Sequence, residues 1–171
     1  MKEINYDNYY WQNEYIRLRA VEPDDWEVHY YNRFDTPARR LLDYEVELPP
    51  TINEVRNSVE TFMDFKSGTG RIMFTITFSI GMQIDRDHRG KGYGTAAMRL
   101  VLRYAFFERR LNKYYGAVLE GNIASSTVLK KLGCVQEGIR RQMVYTDGRY
   151  LDEIQFSLTK YEFIENEKVS R

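Results

Sequence analysis

The sequence predicts an α/β or α+β domain built on a mixed sheet, and three observations predict it. Helix-like and strand-like periods alternate along the chain. A glycine-rich turn, Arg89-Gly90-Lys91-Gly92-Tyr93-Gly94, lies between an apolar strand-like run (Thr77 to Ile84) and an amphipathic run (Thr95 to Glu108). Asp147-Gly148 separates two β-rich runs, a strong signal for a two-residue hairpin. A chain of 171 residues suits one domain with its own core, taken here as residues 1–171.

Each element follows from its local pattern. Tyr15 to Ala20 alternates apolar and basic residues, as a half-buried strand does, and Glu22-Pro23 then opens a helix that carries Trp26, Tyr30 and Phe34 toward a core. Thr36 to Pro50 has no clear period and is expected to be a loop or short helical turn. Thr51 with Glu54 forms a capping box, followed by the stripe Ile52, Val55, Val59, Phe62 and Met63 before Gly68. Arg71 to Ile84 reads as extended. Beyond the glycine turn, Ala97, Val101, Tyr104 and Ala105 give a helix ending near Arg109 and Arg110. Lys113 to Glu120 is a strand, Ser125 to Leu132 a short helix stopped by Gly133, and Arg140–Thr146 with Arg149–Leu158 the closing hairpin.

Composition excludes several function classes. Twenty-five basic and 25 acidic side chains give no net charge, so no global field favours nucleic acid or a membrane surface. No apolar run approaches the length of a membrane span, and the polar N-terminus resembles no export signal. One cysteine, Cys134, rules out an internal disulfide and a thiolate metal site, and with two histidines, His29 and His88, no metal is expected. These features suit a cytoplasmic protein.

Chemistry therefore concentrates at the turn. Three glycines in five positions let the backbone bend tightly and bring consecutive N–H groups to an anion, and the helix that follows adds unpaired donors and the positive end of its dipole. With Arg89 and Lys91 as mobile charge, the segment reads as a cradle for a diphosphate. Gly92, Gly94 and Ala97 satisfy G-x-G-x-x-A, yet a dinucleotide site fits poorly: Asp85 to Lys91 separate the strand from the first glycine, and no ribose-binding acid follows at about 20 residues. No P-loop motif exists.

The pattern R-x-x-G-x-G at Arg89, Gly92 and Gly94, with Asn122-x-x-Ser125 and Leu132-Gly133 at matching distances, resembles the GNAT superfamily of acyl-CoA-dependent N-acetyltransferases. The likeness runs from IRLRAVEPDDW to DGRYLDEIQFSL and is greatest to the branch of ribosomal-protein N-terminal and spermidine acetyltransferases. It implies a mixed, mostly antiparallel central sheet with helices on both faces, splayed at the cofactor strand. It also implies acetyl-CoA as cosubstrate and an amine acceptor, with room for a homodimer. Gly90, Lys91, Tyr93 and Thr95, with Arg89, Gly92 and Gly94, would bind the CoA pyrophosphate through the backbone. Ile84 and Arg86 would meet the pantetheine arm, an oxyanion hole would lie around Met82 to Ile84, and Asn122 would bond pantetheine or the amine.

Two departures stand out. Leu129 replaces the tyrosine that many relatives use to protonate the departing thiolate, which leaves Ser125, with Ser126 second, as candidate acid. The middle of the chain is short: Arg71 to Ile84 supplies barely two strands, as if a hairpin's worth of residues near Thr75–Thr77 were absent. Glu120, two residues before Asn122, is a candidate base, set against an ordinary role as a strand-edge carboxylate. Tyr30, Tyr31 and Tyr44 could line an acceptor groove beside the acidic residues Asp43, Glu45 and Glu47. His88 is expected at the surface and Cys134 in the core.

The expected function is transfer of an acetyl group to a primary amine by direct attack, with a peptide or protein N-terminus favoured and a polyamine second. A non-catalytic acyl-CoA sensor and a Rossmann-type oxidoreductase are the alternatives.

Overall fold

The structure, a computed structural model, describes residues 5–44, 47–63, 77–78 and 81–169. In chain order these form helices α1 (Trp26–Asn32), α2 (Thr36–Asp43) and α3 (Ile52–Met63), a short strand β1 (Thr77–Phe78), α4 (Tyr93–Arg103), β2 (Lys113–Leu119), α5 (Ile123–Lys131), β3 (Val135–Thr146), β4 (Arg149–Thr159) and α6 (Lys160–Val169). The sheet order is β1-β2-β4-β3, with β1 parallel to β2 and the other pairs antiparallel.

The closing hairpin forms as the sequence predicts. Asp147 and Gly148 both take positive φ, 53° and 75°, the mirror-image turn whose twist matches that of the flanking strands. Strand β3 begins five residues earlier than expected, and its register shifts between Gln136 and Gly138 and between Arg140 and Val144 bend it along β4.

The pleat sorts side chains onto two faces. On one, Tyr114 and Val118 of β2 and Phe156 and Leu158 of β4 pack with Met98, Leu102, Phe106, Leu129, Leu132, Cys134 and Phe163. This face is covered by α4, α5 and α6. On the other, Leu119, Val144 and Leu151 form a smaller cluster beneath Leu41 and Tyr44 at the C-terminal end of α2. Helices thus cover both faces, as expected.

Several elements differ from expectation. Tyr15 to Ala20 is no strand: an asparagine turn, in which Asn13 Oδ1 accepts from the N–H groups of Tyr15 and Ile16, leaves a single bridge, Gln12 to Arg17. Pro23–Asp25 forms a 3₁₀ turn before α1, and Phe34, expected in the core, is half-exposed. Thr36 to Asp43, expected as loop or a short helical turn, is a full helix, started by Asp35, whose carboxylate accepts from Ala38 N–H, with Pro37 in the first turn. The α3 capping box is present, with Thr51 N–H donating to Glu54 at 2.6 Å and Val55 and Val59 buried. The buried stripe of α4 runs through Met98, Leu102, Ala105 and Phe106, one residue out of phase with the expected one, and a π-helical turn, Tyr104–Glu108, closes it. The short middle and the side chains of Phe62 and Met63 lie outside the described residues, as does most of the extended run Arg71 to Ile84; in Gly81–Asp85 no ladder forms.

Helix α6 has no counterpart in the expected elements, although Thr159 and Glu162 are a second capping box: Thr159 N–H and Oγ1 each meet Glu162 at 2.8 Å. It seats Phe163, 2% exposed, against Phe106. Thr159→Ala should cost about 1 kcal/mol, as loss of a cap does, and Phe163→Ala about 3–5 kcal/mol as a core truncation. Urea unfolding of the two variants checks both magnitudes and their order.

Candidate active site

The glycine turn is built as its composition requires. Gly90 and Gly92 take φ of 75° and 84°, in the left-handed region where a side chain is strained. Gly92 caps α4, and the first intrahelical bond runs from Ala96 N–H to its carbonyl at 3.0 Å. The N–H groups of Tyr93, Gly94 and Thr95 consequently have no helical acceptor, and the positive end of the dipole lies among them. A Cβ added at Gly90 or Gly92 would meet nothing within 4 Å, so the space above the turn is open. At Gly94 the surroundings are packed: a Cβ would stand 3.5 Å from the side chains of Ile84 and Met82 and 3.7 Å from Val128 of α5. The three segments expected to meet the cofactor therefore converge at Gly94.

The basic residues are fastened instead of mobile. Arg89 Nε donates to the Ile84 carbonyl at 2.8 Å, while its terminal nitrogen pairs with Asp35. Arg86 reaches the other Asp35 oxygen at 3.2 Å, and Lys91 Nζ donates to the Asp87 carbonyl at 3.0 Å. Asp35 is 6% exposed. Burial pushes its carboxyl up, but the hydrogen bonds from Arg89, Arg86 and Ala38 outweigh that and hold it below the usual carboxylate range. Nothing in the turn motif points to Asp35; the signal is Asp35-Thr36-Pro37, a cap followed by proline. His88, exposed as expected, lies 3.0 Å from Asp85.

The start of α5 holds the next candidates. Asn122 is buried and caps the helix, its Oδ1 accepting from Ser125 N–H at 3.1 Å, which leaves its amide NH₂ as the group to meet a ligand. Ser125 and Ser126 are half-buried in the first turn, one turn before Val128 at Gly94. Leu129 is 5% exposed within the core, so that position faces the apolar seam. Glu120 is exposed and lies against β4: its N–H donates to the Asp152 carbonyl at 2.8 Å, and its carboxylate accepts from Asp152 N–H at 3.3 Å.

On the α2 face of the sheet, a buried carboxylate, Glu153, accepts from Tyr44 Oη at 3.0 Å and from Arg140 at 2.6 Å. Burial and this carboxylate push the Tyr44 phenol up to about 12. Arg40 extends the contact to Thr146 at 3.1 Å. Glu153 could have been found as the one acid among the inward positions Leu151, Glu153 and Gln155 of β4. The expected acidic loop is weaker than its composition: Asp43 belongs to α2 and pairs with Arg39, Glu47 is exposed, and Glu45 lies outside the described residues. Tyr30 is half-buried and Tyr31 exposed, their rings 5.7 Å apart. No cluster of potential metal ligands exists among the described residues, and no helix there is long and apolar enough to cross a membrane.

Comparison with known proteins agrees with this geometry. The acetyltransferase (GNAT) domain family matches residues 61–135, which include the turn and the start of α5. The SPbeta prophage-derived uncharacterized N-acetyltransferase YokL of Bacillus subtilis is 28% identical, over 90% of this chain and 95% of its own length. That alignment runs over 171 positions although only 90% of this chain enters it, so the relative carries residues inside the span that this chain lacks. A crystal structure of a probable acetyltransferase superposes with a TM-score of 0.72 at 26% identity, covering 87% of this chain and 95% of its own. The Vibrio cholerae spermidine N-acetyltransferase, solved with CoA and spermine, shares the fold at a TM-score of 0.70 and 18% identity, over 85% of this chain and 96% of its own. The chain has the fold of GNAT acetyltransferases and matches their domain over residues 61–135, and its similarities are those of an N-acetyltransferase, an acyltransferase that uses acetyl-CoA.

The Asp35 carboxyl yields a pH test. A carboxyl with a depressed folded pKa stabilises the fold above its unfolded value, near 3.9, and loses that contribution as pH falls through the folded value. Asp35→Asn should therefore be less stable than the parent at pH 6, by about 1–3 kcal/mol for hydrogen bonds to charged groups. The difference should shrink toward pH 3 in chemical unfolding.

Proposed function

We propose that the chain transfers the acetyl group of acetyl-CoA to a primary amine by direct attack, with the glycine turn holding the CoA pyrophosphate. The observation that carries this reading is the open anion site at the start of α4. There, after two left-handed glycines, the Tyr93, Gly94 and Thr95 N–H groups precede the first intrahelical bond and have no acceptor within the helix, beside Ile84, Met82 and Val128. The amine lone pair attacks the thioester carbonyl, and the oxyanion forms next to backbone N–H groups around Met82 to Ile84. The nitrogen gives up a proton to water, directly or with the help of Glu120, the C–S bond breaks, and CoA leaves as a thiolate. A thiol of pKa about 8.5 is a tolerable leaving group, so a weak acid such as Ser125, or water, suffices to protonate it. Asn122 orients pantetheine or the amine through its NH₂ group. Direct attack is supported by Cys134, a buried thiol pushed up to about 12, which is unsuited to carry an acyl group.

The acceptor is a peptide or protein N-terminus or another amine of low pKa. At pH 7 an ammonium of pKa 10.4 is neutral in about one molecule in 2,500, whereas an α-amine of pKa 7.7–8.0 is neutral in roughly one in six to one in ten. A site without an assured base matches the second. A polyamine is the runner-up; pairing of Asp43 with Arg39 reduces the acidic surface that would attract it. Release of free CoA thiol from acetyl-CoA with a panel of α-amines and polyamines separates the two.

Gly92→Glu and Gly94→Glu should each weaken CoA binding in isothermal titration, the first by strain and by a carboxylate at the anion site, the second by crowding Ile84 and Val128. Unchanged binding in both sinks the cofactor assignment. Glu120→Gln should lose little rate at pH 8.5 with an α-amine acceptor. A persistent loss of about a thousandfold would make Glu120 an essential base, since such assistance is worth about 10²–10⁴.

A further inference from the structure

We propose that Asp35 is a positioning residue for acetyl-CoA, acting by clamping Arg89 and so fixing the backbone of the glycine turn. The proposal rests on the reading that this turn holds the CoA pyrophosphate.

Arg89 ends the segment that begins at Ile84, and its guanidinium closes that segment like a staple, Nε on the Ile84 carbonyl at 2.8 Å and its terminal nitrogen on Asp35. Arg86, inside the same segment, takes the second Asp35 oxygen at 3.2 Å. Gln83 adds a weaker link, Nε2 to the Asn32 carbonyl at the end of α1 at 3.4 Å. Both ends of the stapled segment border the cofactor surface: Ile84 touches the position of Gly94's absent Cβ, and Gly90 follows Arg89 directly. Arg89 thus reaches the cofactor indirectly, by holding the residues on either side of the turn in one arrangement.

Asp35 serves α2 as well, where its carboxylate accepts from Ala38 N–H at 3.4 Å. The two roles have different chemical needs. A cap requires only a short side chain with an acceptor oxygen, which asparagine and serine provide as well as aspartate. Two guanidinium groups require a carboxylate, with a charge and an acceptor on each oxygen. Asp35→Asn and Asp35→Ser therefore keep the cap and lose the clamp, while Asp35→Ala loses both.

Isothermal titration of CoA into the full chain, with thermal unfolding alongside, distinguishes the roles. Asp35→Asn should bind CoA about tenfold more weakly, with KM for acetyl-CoA raised and kcat at saturation within about twofold of the parent. Asp35→Ser should show the same loss, and Asp35→Ala the same loss with a further drop in melting temperature. Arg89→Gln removes the other half of the clamp and should match Asp35→Asn, with the double variant no weaker than the weaker single one, as expected for partners in one interaction. CoA affinity within twofold of the parent in Asp35→Asn or Asp35→Ser would overturn the proposal, as would losses that multiply in the double variant. Loss of binding in Gly92→Glu with none in the Asp35 variants would sink the clamp alone; unchanged binding in Gly92→Glu would sink the pyrophosphate reading and the clamp with it.

Discussion

The apolar seam between β4 and helices α4 and α6 is the constraint on which the rest of the molecule depends. Phe156 and Leu158 project from the central strand onto Leu102, Phe106 and Phe163, all at most 2% exposed, and each buried side chain of this size stabilises the fold by about 1.5–3 kcal/mol. Helix α4 cannot rotate or slide without exposing that surface. Its first turn, three turns of helix away from Phe106, is thereby set against the sheet at a fixed depth. The N–H groups of Tyr93 to Thr95, which have no acceptor within the helix, owe their position to hydrophobic burial at the opposite end of the same helix.

The other face of the sheet is held by a different kind of force. Its cluster of Leu119, Val144 and Leu151 is small, and α2 is secured over it largely by polar contacts: Arg40 to Thr146, Tyr44 to Glu153, and Asp35 to Arg86 and Arg89. Both acids are nearly buried, at 6% and 5% exposure, so each depends on its guanidinium partner, because an unpaired buried carboxylate is costly. The arrangement makes α2 a strut with one end at the glycine turn and the other on the central strand. Packing alone would permit small slides of such a helix; two charge-assisted anchors at opposite ends do not.

How far the sequence discloses this architecture depends on whether the determining interaction is local. The DG hairpin, the Thr51 capping box and the glycine turn were legible because each is fixed by residues within a few positions of one another. The cap at Asp35 and the box at Thr159 were equally local, yet no long apolar stripe accompanies them, and α2 and α6 were not expected. The one-residue error in the α4 stripe, about 100° around the helix, has another source: Met98, Leu102 and Phe106 are selected by packing in the core they share with β4 and α6. The alternation at Tyr15 to Ala20 promised a strand that a local asparagine turn overrides.

The same distinction runs through the site. Recognition of a diphosphate by backbone N–H groups needs glycines in sequence, and such a motif declares itself in one short segment. Side-chain contacts that join α2 to β3, to β4 and to the segment before the turn carry no such signal, because sequence spacing says nothing of their proximity. Asp35 and Arg89 stand 54 positions apart, and Tyr44 and Glu153 stand 109 apart, so neither pair has a signature that a linear reading can detect. The main-chain part of the candidate site is therefore what the chain displays, while the side-chain pairs that brace it emerge only from the fold. This asymmetry follows from the chemistry of the two kinds of contact: an anion site of main-chain N–H groups needs only what every sequence possesses and glycine makes accessible, whereas a side-chain pair needs a partner that only the tertiary fold supplies.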